Sequence, residues 1–145
     1  MLFRSVGQET TIAVSVRDVQ DLYGYALRIT FPPGSIEILD VVNGEFLSDG
    51  LMAPTNGWNN TTGEILFDMS MMGEPEGRDG SGDLIRITLR ATTPGATVAF
   101  TIDPVYSQLV NWPAVMPIPF EIENGVVIIN PINTLLSIFI PVIIK

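Results

Sequence analysis

LYGYALRITFPPGSIEILDVVNG, residues 22–44, holds two strand patterns with a proline turn between them. Tyr25, Leu27, Ile29 and Phe31 alternate with Ala26, Arg28 and Thr30. A period of two puts the four apolar side chains on one face of a sheet and the small or polar ones on the other. Pro32-Pro33-Gly34 then stops the strand. Neither proline can donate to a ladder, and glycine reaches the positive φ that a tight turn requires. A second strand pattern follows over residues 36–42. The rest of the chain reads as strands of the same design stacked around this pair.

The 145 residues suit one domain with a single core, and 46% of them are apolar, enough to fill it. The net charge is −9. That sign argues against nucleic acid, whose phosphates require a basic surface, and against docking by charge on an anionic membrane. It suits a basic patch on a protein partner. There is no cysteine, so no disulfide or thiolate metal site, and the compartment stays open on this count. There is no histidine, which removes the commonest general base and the usual transition-metal ligand. An enzyme would work chiefly with carboxylates. The start, MLFRSVGQ, shows no basic-then-apolar leader, as expected of a mature domain or a cytosolic protein.

Outward from the opening pair, residues 2–6 read as a short first strand. Residues 10–19 alternate, with Ile12, Val14 and Val16 on one face, and the polar residues 18–21 link them to the central strand. Asn43-Gly44 signals a turn before a loose loop, and Trp58 begins a short strand. Residues 64–72 place Ile65, Phe67, Met69 and Met71 inward, with Leu66, Asp68 and Ser70 outward. Residues 73–83 read as a loop dense in glycine and acid. Two further strands cover 84–91 and 96–103, the latter with Val98, Phe100 and Ile102 inward. Residues 107–119 are an irregular, proline-containing excursion, and 120–130 a last strand interrupted at Asn124-Gly125. No window keeps a helical period without a Gly, a Pro or a β-branched run. About nine short strands with frequent turns predict an all-β, antiparallel sandwich.

The order TIAVSVRDV, DLYGYALRITF, proline turn, IEILDVVNGEF, GEILFDMSM, Gly-Ser-Gly loop, LIRITLRATTPGATVAF and NGVVII resembles a cohesin domain. The matching positions are Val14, Val16, Val19, Gly24, Tyr25, Phe31, Pro32, Ile38, Val41, Gly44, Gly63, Ile65, Phe67, Gly82, Leu84, Ile87 and Leu89. One departure is the turn after the central strand, Phe31-Pro32-Pro33 where that family usually has Tyr-Asp-Pro. The resemblance implies a nine-stranded antiparallel β-sandwich with jelly-roll topology over residues 1–130. It implies a secreted or cell-surface, non-catalytic module. Such modules bind dockerin domains through the outer face of one sheet and assemble polysaccharide-degrading enzymes outside the cell. The fold is shared with cellulose-binding modules, so direct binding of a polysaccharide is the alternative.

Carried onto this chain, the partner-binding sheet of cohesins presents Arg28, Thr30, Trp58, Asn60, Leu66, Asp68, Ser70, Thr97 and Thr101. Leu66 is a large apolar group at a position that faces water. A lone exposed leucine is ordinary. With Trp58 beside it, ringed by Thr, Asn, Asp and Arg, it makes an apolar centre with a polar rim. The carbohydrate alternative rests on four aromatic rings, Trp58, Trp112, Tyr23 and Tyr106, since flat rings stack on sugar faces. Their ordinary role is to plug the ends of the sandwich.

Asp79-Gly80-Ser81-Gly82-Asp83 carries the alternating oxygen donors that calcium favours, with Glu74 and Glu76 nearby. Arg90 stands where a calcium-binding loop needs its last acid, so the expectation is a solvated acidic loop and no cofactor. Glu121 with Glu123, and Glu64 with Asp68, are the carboxylate pairs available for glycoside hydrolysis. Nothing else marks a cleft, and the chain reads as non-enzymatic. Asn59-Asn60-Thr61-Thr62 contains two glycosylation sequons and reads as a turn.

The tail, PINTLLSIFIPVIIK at residues 131–145, packs eight large apolar residues into positions 135–144. It is too short for a membrane helix and Pro141 breaks it. Burying those side chains gains on the order of 10–20 kcal/mol as an upper bound. The tail therefore adds a strand to its own sandwich, or pairs with a second molecule as a swapped segment that self-associates.

Overall fold

The computed structural model describes residues 2–5, 9–47, 50–52, 56–72, 76–112, 116–129, 134–137 and 140–143, and for 2–5, 50–52, 134–137 and 140–143 it describes the main chain only. In chain order the strands are β1 (Leu2–Ser5), β2 (Glu9–Leu22), β3 (Gly24–Thr30), β4 (Ile36–Asn43), β5 (Gly50–Met52), β6 (Gly57–Asn59) and β7 (Glu64–Met71). They continue as β8 (Arg78–Ala91), β9 (Thr97–Ile102), β10 (Gln108–Val110), β11 (Glu121–Ile122), β12 (Gly125–Ile129), β13 (Thr134–Ser137) and β14 (Ile140–Ile143). The described residues contain no helix.

Two sheets result. The larger runs β1-β13-β12-β9-β3-β7-β5, with β10 also on β3 and β6 also on β7. The smaller runs β11-β14-β2-β8-β4. The expectation of an all-β sandwich holds, and the described residues form fourteen strand segments where about nine strands were read. The difference lies in short pieces: β5 and β6 share one edge of β7, and the last pattern splits into β11 in one sheet and β12 in the other. Asn124 sits at that split and accepts the Ile102 main-chain N–H at 2.9 Å.

The alternation in the sequence becomes the core. Tyr25, Leu27 and Ile29 of β3, Ile65, Phe67 and Met69 of β7, and Val98, Phe100 and Ile102 of β9 are all buried. They meet Val14, Val16, Ile85, Ile87 and Leu89 of the smaller sheet in one cluster. Phe31 packs on Phe100 with ring centroids 5.5 Å apart. Tyr25 joins the layers: its hydroxyl donates to the Leu84 carbonyl of β8 at 2.9 Å. Burial, with the charge of Asp68, pushes that hydroxyl above the ordinary tyrosine range, so it stays a donor. The turn after β3 takes Gly34 to a φ of 107°. Gly63, at φ 76°, lets the next turn close on it, since a Cβ there would lie 1.9 Å from the Phe31 carbonyl.

Three loop expectations are corrected. Residues 73–75 of the expected acidic loop lie outside the described residues, and residues 78–83 are the first part of β8. The polar residues 18–21 belong to β2. The two segments pair through successive register shifts, with Asp18 and Asp21 in the left-handed region. Such bulges consume residues that a regular ladder would reject, which is why glycine and acid conceal the strand. Side chains complete the pairing: Asp18 N–H donates to Ser81 at 3.0 Å and Asp21 N–H to Asp79 at 2.8 Å. Third, the irregular stretch after residue 107 contains β10, which pairs with the start of β3.

The main chain of β13 lies between β1 and β12, and that of β14 between β2 and β11. The β14–β2 pairing is parallel, a departure from the antiparallel expectation. A strand inserted between two that run in opposite directions must be parallel to one of them. The last two strands of the chain thus pair within their own chain in this structure.

Candidate protein-docking face

The outer face of the larger sheet is set by the residues out of phase with the core. On β7 these are Glu64, Leu66, Asp68 and Ser70. On β3 they are Ala26, Arg28 and Thr30. Opposite residues of an antiparallel pair share a face. Arg28 stands opposite Leu66, Ala26 opposite Asp68, and Thr30 opposite both Glu64 and Thr101. The structure therefore brings Arg28, Thr30, Leu66, Asp68, Ser70 and Thr101 onto one surface. Thr97 shares the face but lies at the far end of β9, opposite Ile128 of β12.

Arg28 is the best-held member. Its guanidinium lies 3.2 Å from Glu64 and 4.7 Å from the centroid of the Tyr106 ring. Its main chain is pinned by the segment between β9 and β10: Arg28 N–H donates to Ser107 Oγ at 3.0 Å, and Asp103 N–H donates to the Arg28 carbonyl at 2.8 Å. Asp103 also accepts the N–H groups of Val105 and Tyr106, which holds these two exposed residues beside the sheet. One row then crosses the face: Gly57 of β6, Leu66 of β7, Arg28 of β3, and Tyr106. Leu66 is 42% exposed and Tyr106 62%. Desolvation raises the Asp68 carboxyl above its ordinary range, partly offset by the Leu27 main-chain N–H.

Two expected contact residues are out of phase with this face in the strand register. Gly57 and Asn59 stand opposite Leu66 and Glu64, and Trp58 opposite Ile65, yet Trp58 stays exposed and lines one hollow together with Leu66 and Glu64. Trp58 keeps 38% exposure because β6 is an edge strand. Asn60 follows the same phase. Its amide accepts the Ile38 N–H at 2.7 Å and donates to the Ile38 carbonyl at 3.0 Å, imitating a strand along the edge of β4. Asn56 does the same for Asp68 on β7, filling the gap between β5 and β6. A shallow hollow of about 320 Å³ is lined by Gly57, Trp58, Asn59, Glu64 and Leu66.

The sequence reading missed Gly57, Glu64 and Tyr106 as members of this face. The period of two in β7 points to Glu64. No local pattern marks Tyr106, which reaches Arg28 across 78 positions of chain. Nor do the four aromatic candidates form one row. Tyr23 is buried and stacks on Trp112 at 4.5 Å, Tyr106 covers Arg28, and Trp58 sits at the sheet edge. Glu74 lies outside the described residues. Of its expected companions, Asp79 accepts from Asp21, and Asp83 accepts from Ser15 at 2.7 Å and pairs with Arg86 at 3.3 Å. Among the described residues no three acids converge as a metal-holding group. Glu64 pairs with Arg28 and Glu123 with Arg17. Asn59 accepts the N–H groups of Thr61 and Thr62, so the sequon stretch is a turn.

The sandwich with this face is similar to solved cohesin structures. A non-cellulosomal cohesin from the archaeon Archaeoglobus fulgidus matches with a TM-score of 0.64 at 14% identity, over 97% of this chain and 83% of that one. The cohesin CaCohA2 of Clostridium acetobutylicum, in complex with CaDoc0917, gives 0.70 at 12% identity, over 87% and 92%. The fold is that of a cohesin domain. The third cohesin of ScaC from Acetivibrio cellulolyticus, solved with the ScaB dockerin, gives 0.65 at 13% identity, over 97% and 90%. No protein-family model matches this sequence, and no curated protein sequence does. At these identities the cohesin likeness is one of fold.

Proposed function

We propose that this cohesin-like sandwich is a non-catalytic docking module that binds a dockerin-type domain through the outer face of the larger sheet, in extracellular polysaccharide degradation or surface assembly. The observation that carries the reading is the row Leu66, Arg28 and Tyr106. It combines an exposed aliphatic group with an arginine and a tyrosine, two residue types that dominate binding energy at interfaces, the first two on paired strands and the tyrosine on the turn pinned beside them. The solved relatives that carry dockerins support the partner class. The test is calorimetric titration against a panel of dockerin domains, with insoluble cellulose, chitin and xylan in parallel. Dockerin binding lost in Leu66→Asp and in Arg28→Ala supports the reading. Glycan binding without any dockerin response ends it.

A further inference from the structure

Leu66 faces Gly57 across the β6–β7 pairing, and position 57 has no side chain. A Cβ built there meets nothing within 4 Å, so the glycine leaves position 57 as open space on the floor of the hollow beside Leu66. Its volume, about 320 Å³, is at the low end of ligand sites, and it is open to one side. That shape suits one protruding side chain of a partner better than a free small molecule. Its apolar walls are Leu66 and Trp58. The charges beside it are unequal. Glu64 is neutralised by Arg28 at 3.2 Å. Asp68, two residues along the same face, has no cationic partner among the described residues, and its carboxyl is already partly desolvated.

We propose that the hollow seats a single aliphatic side chain of the docked partner, and that a lysine or arginine next to that side chain pairs with Asp68. The proposal rests on the docking reading above and specifies the chemistry of the partner surface. A net charge of −9 favours approach by such a basic surface.

The experiment uses the whole chain and any dockerin from the panel that binds it, with affinities measured at ~0.1 M and ~1 M salt, where the Debye length falls from about 10 to about 3 Å. Gly57→Leu fills the hollow and weakens binding about tenfold or more at both salt concentrations. Gly57→Ala, the smaller change, weakens it less and guards against a folding defect, which thermal melting reports. Asp68→Lys weakens binding about tenfold at low salt, and the loss shrinks at high salt. Arg90→Gln on the opposite face leaves affinity unchanged. If Gly57→Leu and Asp68→Lys bind as wild type while Arg28→Ala does not, the hollow proposal is overturned and the docking face stands. If none of the three changes affinity, or no dockerin binds, the docking reading itself falls and takes the hollow with it.

Discussion

The two outer faces of the sandwich are made by the same alternation and carry different surfaces. On the smaller sheet, Arg90 stands in register with Glu9 on one side and Glu37 on the other, at 4.0 and 3.9 Å. Arg86 reaches Glu45 at 3.0 Å and Asp83 at 3.3 Å, and Thr11 meets Thr88 at 3.3 Å. On that face Arg86 and Arg90 each pair with two carboxylates, beside the exposed Asp40 and Val42. On the larger sheet the described residues make one ion pair, Arg28 with Glu64, and the rest of the face includes Ala26, Leu66, Ser70, Ala99 and threonines, with Asp68 unneutralised. A surface whose charges are matched internally gains little from a partner, because each ion pair must be broken or desolvated on docking. A surface with an exposed leucine and an arginine fixed over a tyrosine gains more.

The largest effect is expected where both faces share a foundation. Phe100→Ala removes a fully buried ring between the layers and lowers stability by about 3–5 kcal/mol in chemical denaturation. It should weaken both faces alike. A variant that lost dockerin binding yet kept wild-type stability would contradict the shared core. Tyr25→Phe comes next. It deletes one hydroxyl, leaves the Leu84 carbonyl without that donor, and costs about 1–3 kcal/mol. An unchanged denaturation midpoint would mean that the contact between layers adds nothing.

Matched surface changes test whether the two faces differ in what they bind. Leu66→Asp alters stability by less than ~0.5 kcal/mol and lowers dockerin affinity at least about tenfold. Thr88→Asp on the smaller sheet places the same carboxylate among arginines and leaves affinity unchanged. Equal losses from both would mean that the docking surface does not distinguish the sheets. Arg90→Ala is expected to cost under ~1 kcal/mol, since its ion pairs are long and exposed, and added salt should shrink that cost further. A larger loss would show that the charged face stabilises the fold.

Much of this contrast was legible in the chain. In β3, β7 and β9 the inward and outward sets follow directly from a period of two, because each strand is long enough for burial to fix its phase. The phase of β6 was not legible. Three residues, Gly57, Trp58 and Asn59, carry no alternation, and a slip of one position exchanges the faces. That slip puts Gly57 and Asn59 opposite Leu66 and Glu64 in place of Trp58 and Asn60, although Trp58 still borders the hollow beside Leu66. The start of β8 was hidden for another reason. Its glycines and acids disfavour a regular strand, and only the bulged pairing with Asp18 and Asp21 rewards them. Tyr106 was legible as a ring and not as a neighbour of Arg28, because that contact depends on how residues 103–107 are pinned along β3.

The smallest expected effect concerns Asp68, and it separates the faces by pH. Burial raises its carboxyl in the folded chain, so the folded state holds the proton more tightly than the unfolded state does. Its contribution to stability is therefore full below the unfolded carboxylate range and is lost as pH rises through the raised folded value. At neutral pH the ionised group opposes folding, by under ~1 kcal/mol because solvent screens a half-exposed site. Asp68→Asn should then be slightly more stable than wild type at neutral pH, and the gain should disappear as pH falls into the carboxylate range. Melting curves across that range measure the difference. A gain that grew on acidification would show that Asp68 is stabilised as an anion, and so already has the cation that the docking face is proposed to await.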